Sequence, residues 1–242
     1  MGLIKFDGVS SDYLKWASLA TAIQNIPTGA YTALYGIRHA SIANWQAYGY
    51  LLSGTGAGVT KTGLSKDTAG PPICDTSGGS PSFATLNPAI NEDTLFVVSK
   101  ATGTSVPALS KKVGPSGTWA HANGSTSIAN LVAAAQLQLG IYQLASTDLL
   151  NGWLAVFAMW NVALSQAQRI ACGANWKTSD IFTAHPTKPL IVMELDVPKD
   201  ALTNLGTGTI GTPTNSGTTF DSAELFGGWN FDAYGANFMS VM

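Results

Sequence analysis

The sequence predicts an all-β protein, an antiparallel sandwich of two sheets built from many short strands, with one or two short helices. Three observations carry that prediction. Apolar runs of about five to ten residues alternate with turn chemistry along the whole chain. The 26 glycines and 11 prolines are spread through it rather than gathered into one linker. One segment, Trp153–Trp160, is apolar at every position, the pattern of a strand covered on both faces.

Taken in order, strands are expected at Tyr31–Arg38, Tyr48–Leu52, Thr94–Lys100, Trp119–Ala122, Leu137–Leu144, Trp153–Trp160 and Leu190–Asp196. Turn signals stand between them, such as Gly54-Thr55-Gly56-Ala57-Gly58, Ala69-Gly70-Pro71-Pro72 and Gly114-Pro115-Ser116-Gly117. In Trp153–Trp160, alternate side chains point to opposite faces, so an opposing sheet must cover one face and a loop, helix or neighbouring subunit the other. Ser165 followed three residues later by Gln168 is a capping box, which predicts a short helix over Gln166–Cys172 with Gly173 as its C′ residue. A second helical stretch is expected at Ala129–Gln136, in competition with a turn leading into the next strand. Beyond Pro189 the chain carries one good strand, Ile191–Leu195, and then a tract of Gly, Thr, Pro and Ser over Gly206–Thr219 that cannot build a core of its own. With no internal repeat and no clear boundary, residues 1–242 read as a single domain, with 197–242 as a loop-rich C-terminal extension packing on it.

Composition excludes several functions. Charged residues make up 11% of the chain, against a usual share of about 25%. Twelve basic and fourteen acidic residues leave a net charge of -2. That is neither the basic stripe of a nucleic-acid binder nor a polybasic membrane-surface patch, so neither partner is expected. The 45% hydrophobic content suffices for a core, which argues against disorder. No apolar run is long enough to span a bilayer. Met1–Asp7 has no basic region followed by an apolar one, so no export signal is expected, and Asn123-Gly124-Ser125 is then a chance sequon. Cys74 and Cys172 lack metal-ligand spacing and are expected as two separate thiols, with one bridge between them as the alternative.

Candidate chemistry is sparse. Gly206-Thr207-Gly208-Thr209-Ile210-Gly211 matches the dinucleotide fingerprint, but Thr212-Pro213-Thr214 after it cannot open the helix on which a pyrophosphate would sit. Glu194 and Asp196 lie two residues apart, about 7 Å at the standard strand rise. Such a pair suits a glycosidase nucleophile and assisting acid; here Pro198 breaks the strand, and a solvated strand end is expected instead. His39, His121 and His185 have no spaced partners and are expected at surfaces or edges. Asn91-Glu92-Asp93 offers oxygen atoms of the kind calcium takes, without the spaced acidic loop of a strong site; otherwise no cofactor is expected. Among the tryptophans, Trp119, Trp153 and Trp160 are expected in the core, while Trp45 and Trp176, in polar or turn-rich surroundings, are the candidate interaction residues.

Three segments, Phe6-Asp7-Gly8, Leu95-Phe96-Val97-Val98 and Thr118-Trp119-Ala120-His121-Ala122-Asn123-Gly124, resemble successive strands of a laminin-G-like, concanavalin-A-type jelly roll. The block from Gly152 to Ser165 is similar to that family's segment G-x-(I/L)-A-x-(V/F)-A-x-W-N-x-A-L-S, followed by its short amphipathic helix. The resemblance covers most of the chain and implies a jelly-roll sandwich. Glu194-Leu195-Asp196 resembles the start of the acidic strand motif of laminarinase-like sandwich enzymes, whose further Glu is missing here. Pro189–Asp196 and Gly217-Thr218-Thr219-Phe220 look like virion proteins of tailed bacteriophages. That likeness implies a non-enzymatic structural virion protein, a capsid decoration or minor tail protein. It would be made in the bacterial host cytoplasm and sit on the particle exterior, contacting major capsid or tail proteins and copies of itself. The alternatives are a lectin-like adhesin for a bacterial surface glycan and, ranking below it, a glycoside hydrolase using Glu194 and Asp196.

Overall fold

The computed structural model describes residues 3–8, 12–42, 45–54, 61–66, 71–76, 80–141, 149–197, 201–221 and 226–232. Its strands are β1 (Leu3–Asp7), β2 (Tyr13–Trp16), β3 (Tyr31–His39), β4 (Gln46–Leu52), β5 (Lys61–Lys66), β6 (Pro72–Thr76) and β7 (Thr94–Lys100). They continue as β8 (Ala108–Val113), β9 (Ala120–Asn123), β10 (Gln136–Leu139), β11 (Asn151–Trp160), β12 (Ile191–Glu194), β13 (Thr214–Ser216) and β14 (Thr219–Asp221). Short helices are α1 (Thr21–Gln24), α2 (Gln166–Ala171) and α3 (Thr178–Thr183), with a 3-10 turn at Ile26–Thr28. All the strand pairs are antiparallel. The larger sheet runs β14-β1-β11-β3-β7-β8-β9 with β12 also on β11, and the smaller runs β13-β2-β10-β4-β5-β6. The architecture is the expected two-sheet jelly-roll sandwich.

β11 organises the larger sheet. Its Leu154, Phe157 and Met159 enter the main core between the sheets, whereas Ala155, Val156, Ala158 and Trp160 enter a second cluster on the sheet's outer face. The double outward step at Ala155 and Val156 is a β-bulge, where the register against β3 shifts between Leu154 and Val156. The bulge also lets two strands share one flank of β11. β1 pairs with Asn151–Leu154 and β12 with Val156–Met159. Leu195 joins them, its N–H donating to Ala155 O at 2.8 Å while its own carbonyl accepts from Ile4 N–H at 3.0 Å. The outer cluster includes Leu164, Cys172, Trp176 and Ile181 from the α2–α3 segment and Phe226, Trp229 and Phe231 near the C-terminus. Both faces of β11 are therefore covered, as its uniform hydrophobicity predicts.

Three hydrogen bonds cross the main core from β3. Tyr31 OH meets Cys74 Sγ at 3.2 Å, Tyr35 OH donates to Gly49 O at 3.1 Å, and His39 Nε2 meets Tyr48 OH at 3.1 Å. All three side chains sit at alternate inward positions of one strand, spaced by four residues.

Thr94–Lys100 is found as expected, and five other expected strands differ by one or two residues at their ends. The expected Leu137–Leu144 begins at Gln136 and ends at Leu139, and its residues 142–144 lie outside the described residues. β2, β5, β6, β8, β13 and β14 were not anticipated. β5 and β8 carry Lys66 and Lys112 at buried positions, which hides their strand pattern. The ammonium groups are satisfied by Ile42 O at 2.6 Å and Gly173 O at 3.0 Å.

The capping box is present: Gln168 N–H donates to Ser165 Oγ and Ser165 N–H to Gln168 Oε1. Gly173, however, is not left-handed, as a glycine ending a helix at C′ usually is. It is glycine because a Cβ there would lie 2.6 Å from Leu95 Cδ1. Ala129–Gln136 forms no helix. It is irregular with a bend at Ala135, and Ala134 and Ala135 donate to Gln24 O and Leu52 O. After Leu195 the chain returns to both sheets, adding β13 to β2 and β14 to β1.

Candidate functional site

A cleft of about 480 Å3 lies between Trp16 of β2, Met193 of β12 and the loop 202–212. Each sheet contributes one wall, and Leu202 and Ile210 add apolar surface. The loop owes its shape to Asn204. The Asn204 Oδ1 accepts from Val192 N–H at 2.8 Å and Gly206 N–H at 3.0 Å, and Nδ2 donates to Leu190 O at 2.9 Å and to Gly208 O. Main-chain bonds from Leu205, Thr207 and Gly208 to Val192, Pro189 and Leu190 complete the attachment. Gly206 and Gly208 permit it, since a Cβ at either would come within 2.5 Å or 2.8 Å of Leu190 O. The apparent dinucleotide fingerprint is thus a close-packing device, and no helix follows it.

Thr203, Thr209 and Thr212 also line the cleft, and among the described residues no protein group pairs with their hydroxyls. Trp16 is 2% exposed, and its indole N–H likewise has no partner among them. The indole nitrogens of Trp153, Trp160 and Trp176 are unpartnered too and are sealed from solvent. None of the described lining residues is ionisable.

Glu194 and Asp196 are not in the cleft. Instead of ending a strand in solvent they are buried, at 3% and 7% exposed. Glu194 sits opposite Val156, which belongs to the outer cluster. Burial raises the Asp196 pKa above its ordinary value, opposed in part by a hydrogen bond from its own backbone N–H. Pairing of β12 with β11, remote in sequence, does what the local sequence could not announce.

The histidines divide differently from expectation. His39 is wholly buried inside the sandwich, and its pKa is pushed down to about 3, first by burial and then by the charges of Lys66 and Lys111. His185 is half-buried and accepts Thr187 N–H at Nδ1. His121 is half-buried and belongs to a chain of contacts that sequence reasoning missed. Ser110 of β8 lies directly opposite His121 of β9, with Oγ and Nδ1 at 2.8 Å. Arg169 Nε donates to the same Ser110 oxygen at 2.9 Å. The hydroxyl proton then goes to Nδ1, so the neutral ring carries its proton on Nε2. Burial, and the Arg169 charge after it, lower the His121 pKa. Despite its Ser–His geometry this is no nucleophile: Ser110 is wholly buried and held by a guanidinium. Only the strand register could have revealed the pair.

Of the tryptophans, Trp160 is in the core as expected. Trp119 and Trp153 are half-buried instead. Trp119 stacks on His121 and lies under the Lys112 ammonium, and Trp153 lies between Lys5 and Arg38. Trp45 is half-buried just before β4. Trp176, expected at an interaction surface, is 2% exposed. Its backbone is left-handed at φ 56°, turning the ring inward against Phe226 and Trp229. A turn-rich neighbourhood here builds core rather than surface.

Asp93 is committed to Arg38, with Oδ1 and Oδ2 at 2.7 and 2.9 Å from Nε and Nη2, while Asn91 occupies a left-handed turn. Among the described residues no three His, Cys, Asp or Glu side chains gather as metal ligands. Cys74 and Cys172 are both buried thiols outside any disulfide, and burial pushes the Cys172 thiol up to about 12.

Neither a protein-family model nor a curated protein sequence matches the chain. Solved structures share its fold. A Bacteroides ovatus protein provisionally named for carbohydrate binding is similar at a TM-score of 0.54 and 12% identity, over 91% of this chain and 60% of its own. A native heptameric SAP-like pentraxin from Limulus polyphemus is similar at 0.47 and 10% identity, over 92% of this chain and 96% of its own. Domains LG4-5 of the mouse laminin alpha1 chain are similar at 0.42 and 16% identity, over 68% and 44%. At such identities the likeness is one of fold alone.

Proposed function

We propose that the chain is a non-enzymatic structural component of a tailed-phage particle, on the capsid or tail, acting through contact with virion proteins and copies of itself. The observation that carries the non-enzymatic part is the separation of chemistry from cleft. The described cleft lining holds no ionisable group, and Glu194 and Asp196 are buried apart from it. Other buried charges serve the fold: Arg169 on Ser110 and Leu164 O, Lys112 on Gly173 O, Asp180 on Asn175. Ile90, Val106 and Val132 stand exposed, and with Trp45 they are the positions proposed to meet neighbours. The phage setting rests on the sequence resemblance.

Mass spectrometry of purified particles tests the reading. Many copies per major capsid protein mark a capsid ornament, a few mark a tail part, and absence from the particle refutes the proposal. Glu194→Gln leaves assembly unchanged; polysaccharide cleavage that this substitution abolishes would reinstate the hydrolase. The glycan-binding alternative is favoured by one observation, the uncharged, hydroxyl-bearing lining of the cleft.

A further inference from the structure

We infer that the cleft beneath the 202–212 loop is a binding site for one uncharged, polyhydroxylated sugar unit, a neutral hexose, held by threonine hydroxyls and the Trp16 indole N–H. This deepens the glycan-binding alternative by giving it a location, and it is independent of the structural reading. Four observations converge on it. The volume of about 480 Å3 lies within the range of about 300–1,000 Å3 that small-molecule sites occupy. The lining combines apolar wall (Met193, Leu202, Ile210) with hydroxyls of Thr203, Thr209 and Thr212 that have no protein partner among the described residues. Such hydroxyls donate and accept, matching the dual character of sugar hydroxyls. Trp16 lines the cleft and is 2% exposed, and its indole N–H, with no protein partner among the described residues, is a donor to spare.

The fourth observation is rigidity. Asn204 uses both its amide atoms on the loop and on β12, and Ala20 N–H and Gly211 N–H tie the far side of the loop to Thr209 O and Ser18 O. The loop backbone that carries the hydroxyls is therefore tied down before any ligand arrives, which spares the cost of ordering it on binding. The absence of charge from the described lining sets the ligand class. An anionic or cationic sugar would enter with no counter-charge and lose hydration, whereas a neutral one exchanges water hydrogen bonds for equivalent ones.

The test is an NMR titration of the full chain with glucose, galactose and N-acetylglucosamine. Their methyl glycosides stand for a chain-linked unit, and glucuronate and glucosamine are the charged controls. Saturable shifts confined to the Trp16 indole N–H and amides of 203–212, at millimolar Kd or tighter and weaker for the charged sugars, are expected. Response to the free sugar alone, or to the glycoside as well, separates a free ligand from a glycan. The double variant Thr209→Val/Thr212→Val, both positions exposed, keeps the fold by circular dichroism and binds about tenfold more weakly. Shifts at Trp119 or Trp153 that the double variant leaves intact would overturn the cleft and spare the glycan reading. No saturable shift with any sugar would overturn both. Tighter binding of a charged sugar would overturn the ligand class.

Discussion

His39 stands at the end of β3 with Nε2 on Tyr48 OH and Nδ1 sealed from solvent without a partner. Protonating it inside the fold places a cation in the aromatic core, so the folded chain resists the proton that the unfolded chain accepts near pH 6.5. The folded-state value is lowered to about 3, so the stabilisation is fully present above pH 6.5 and is lost as the pH falls through about 3. Each pH unit in that window is worth about 1.4 kcal/mol. The loss is therefore about 2.7 kcal/mol at pH 4.5 and about 5 kcal/mol over the whole window, a large share of the 5–15 kcal/mol typical of a domain. Urea unfolding followed by circular dichroism at stepped pH measures it, comparing the natural chain with His39→Gln. The variant is less stable at neutral pH because it loses packing around the ring, but it lacks the one-proton slope. The gap between the two chains should narrow by about 2.7 kcal/mol from pH 8 to 4.5. The raised Asp196 pKa acts with opposite sign, contributing stability in acid that is lost as the pH rises through its folded value, and it cancels in the comparison. Parallel losses in both chains, or an NMR titration of His39 centred near 6.5, would refute the reasoning.

Three further outcomes follow from packing and burial. Asn204→Ala removes four hydrogen bonds that shape the 202–212 loop and should cost about 2–4 kcal/mol, read by urea unfolding together with faster proteolysis within the loop. Gly173→Ala puts a methyl 2.6 Å from Leu95 Cδ1 and should cost about 1–3 kcal/mol by overpacking, read by urea unfolding; a stabilised variant would be the contrary result. Cys172, with its thiol pushed up to about 12, and buried Cys74 should resist a disulfide exchange reagent at pH 8 until urea unfolds the chain, when both react.

Where one element's own residues decide its state, the sequence is readable. Ser165 and Gln168 announce α2 because both halves of the cap lie within one turn, and the unbroken apolar run of β11 announces a strand buried on both faces. The bulge at Ala155 is invisible in that run, since every residue around it is apolar and either phase looks buried. β5 and β8 escape notice because lysine suggests solvent, whereas Lys66 and Lys112 bury their stems and find carbonyl oxygens from distant segments. The same dependence on distant partners hides the site. Asn204 looks like one polar residue among many until β12 lies beside it. Ser110 meets His121 only through the β8–β9 register, and Glu194 and Asp196 read as solvated because what covers them is remote in sequence. Trp176 misleads for a different reason, since its left-handed backbone turns a polar neighbourhood's aromatic ring inward.

The three ties from Tyr31, Tyr35 and His39 have a mechanical consequence. Sliding one sheet along the other by a single residue moves it about 3.3 Å, enough to break all three together, because they sit on one strand and share one direction of shear. The layers therefore cannot creep past one another a bond at a time. A pull on the larger sheet is handed to the smaller as a block, and the body yields, when it does, in one step.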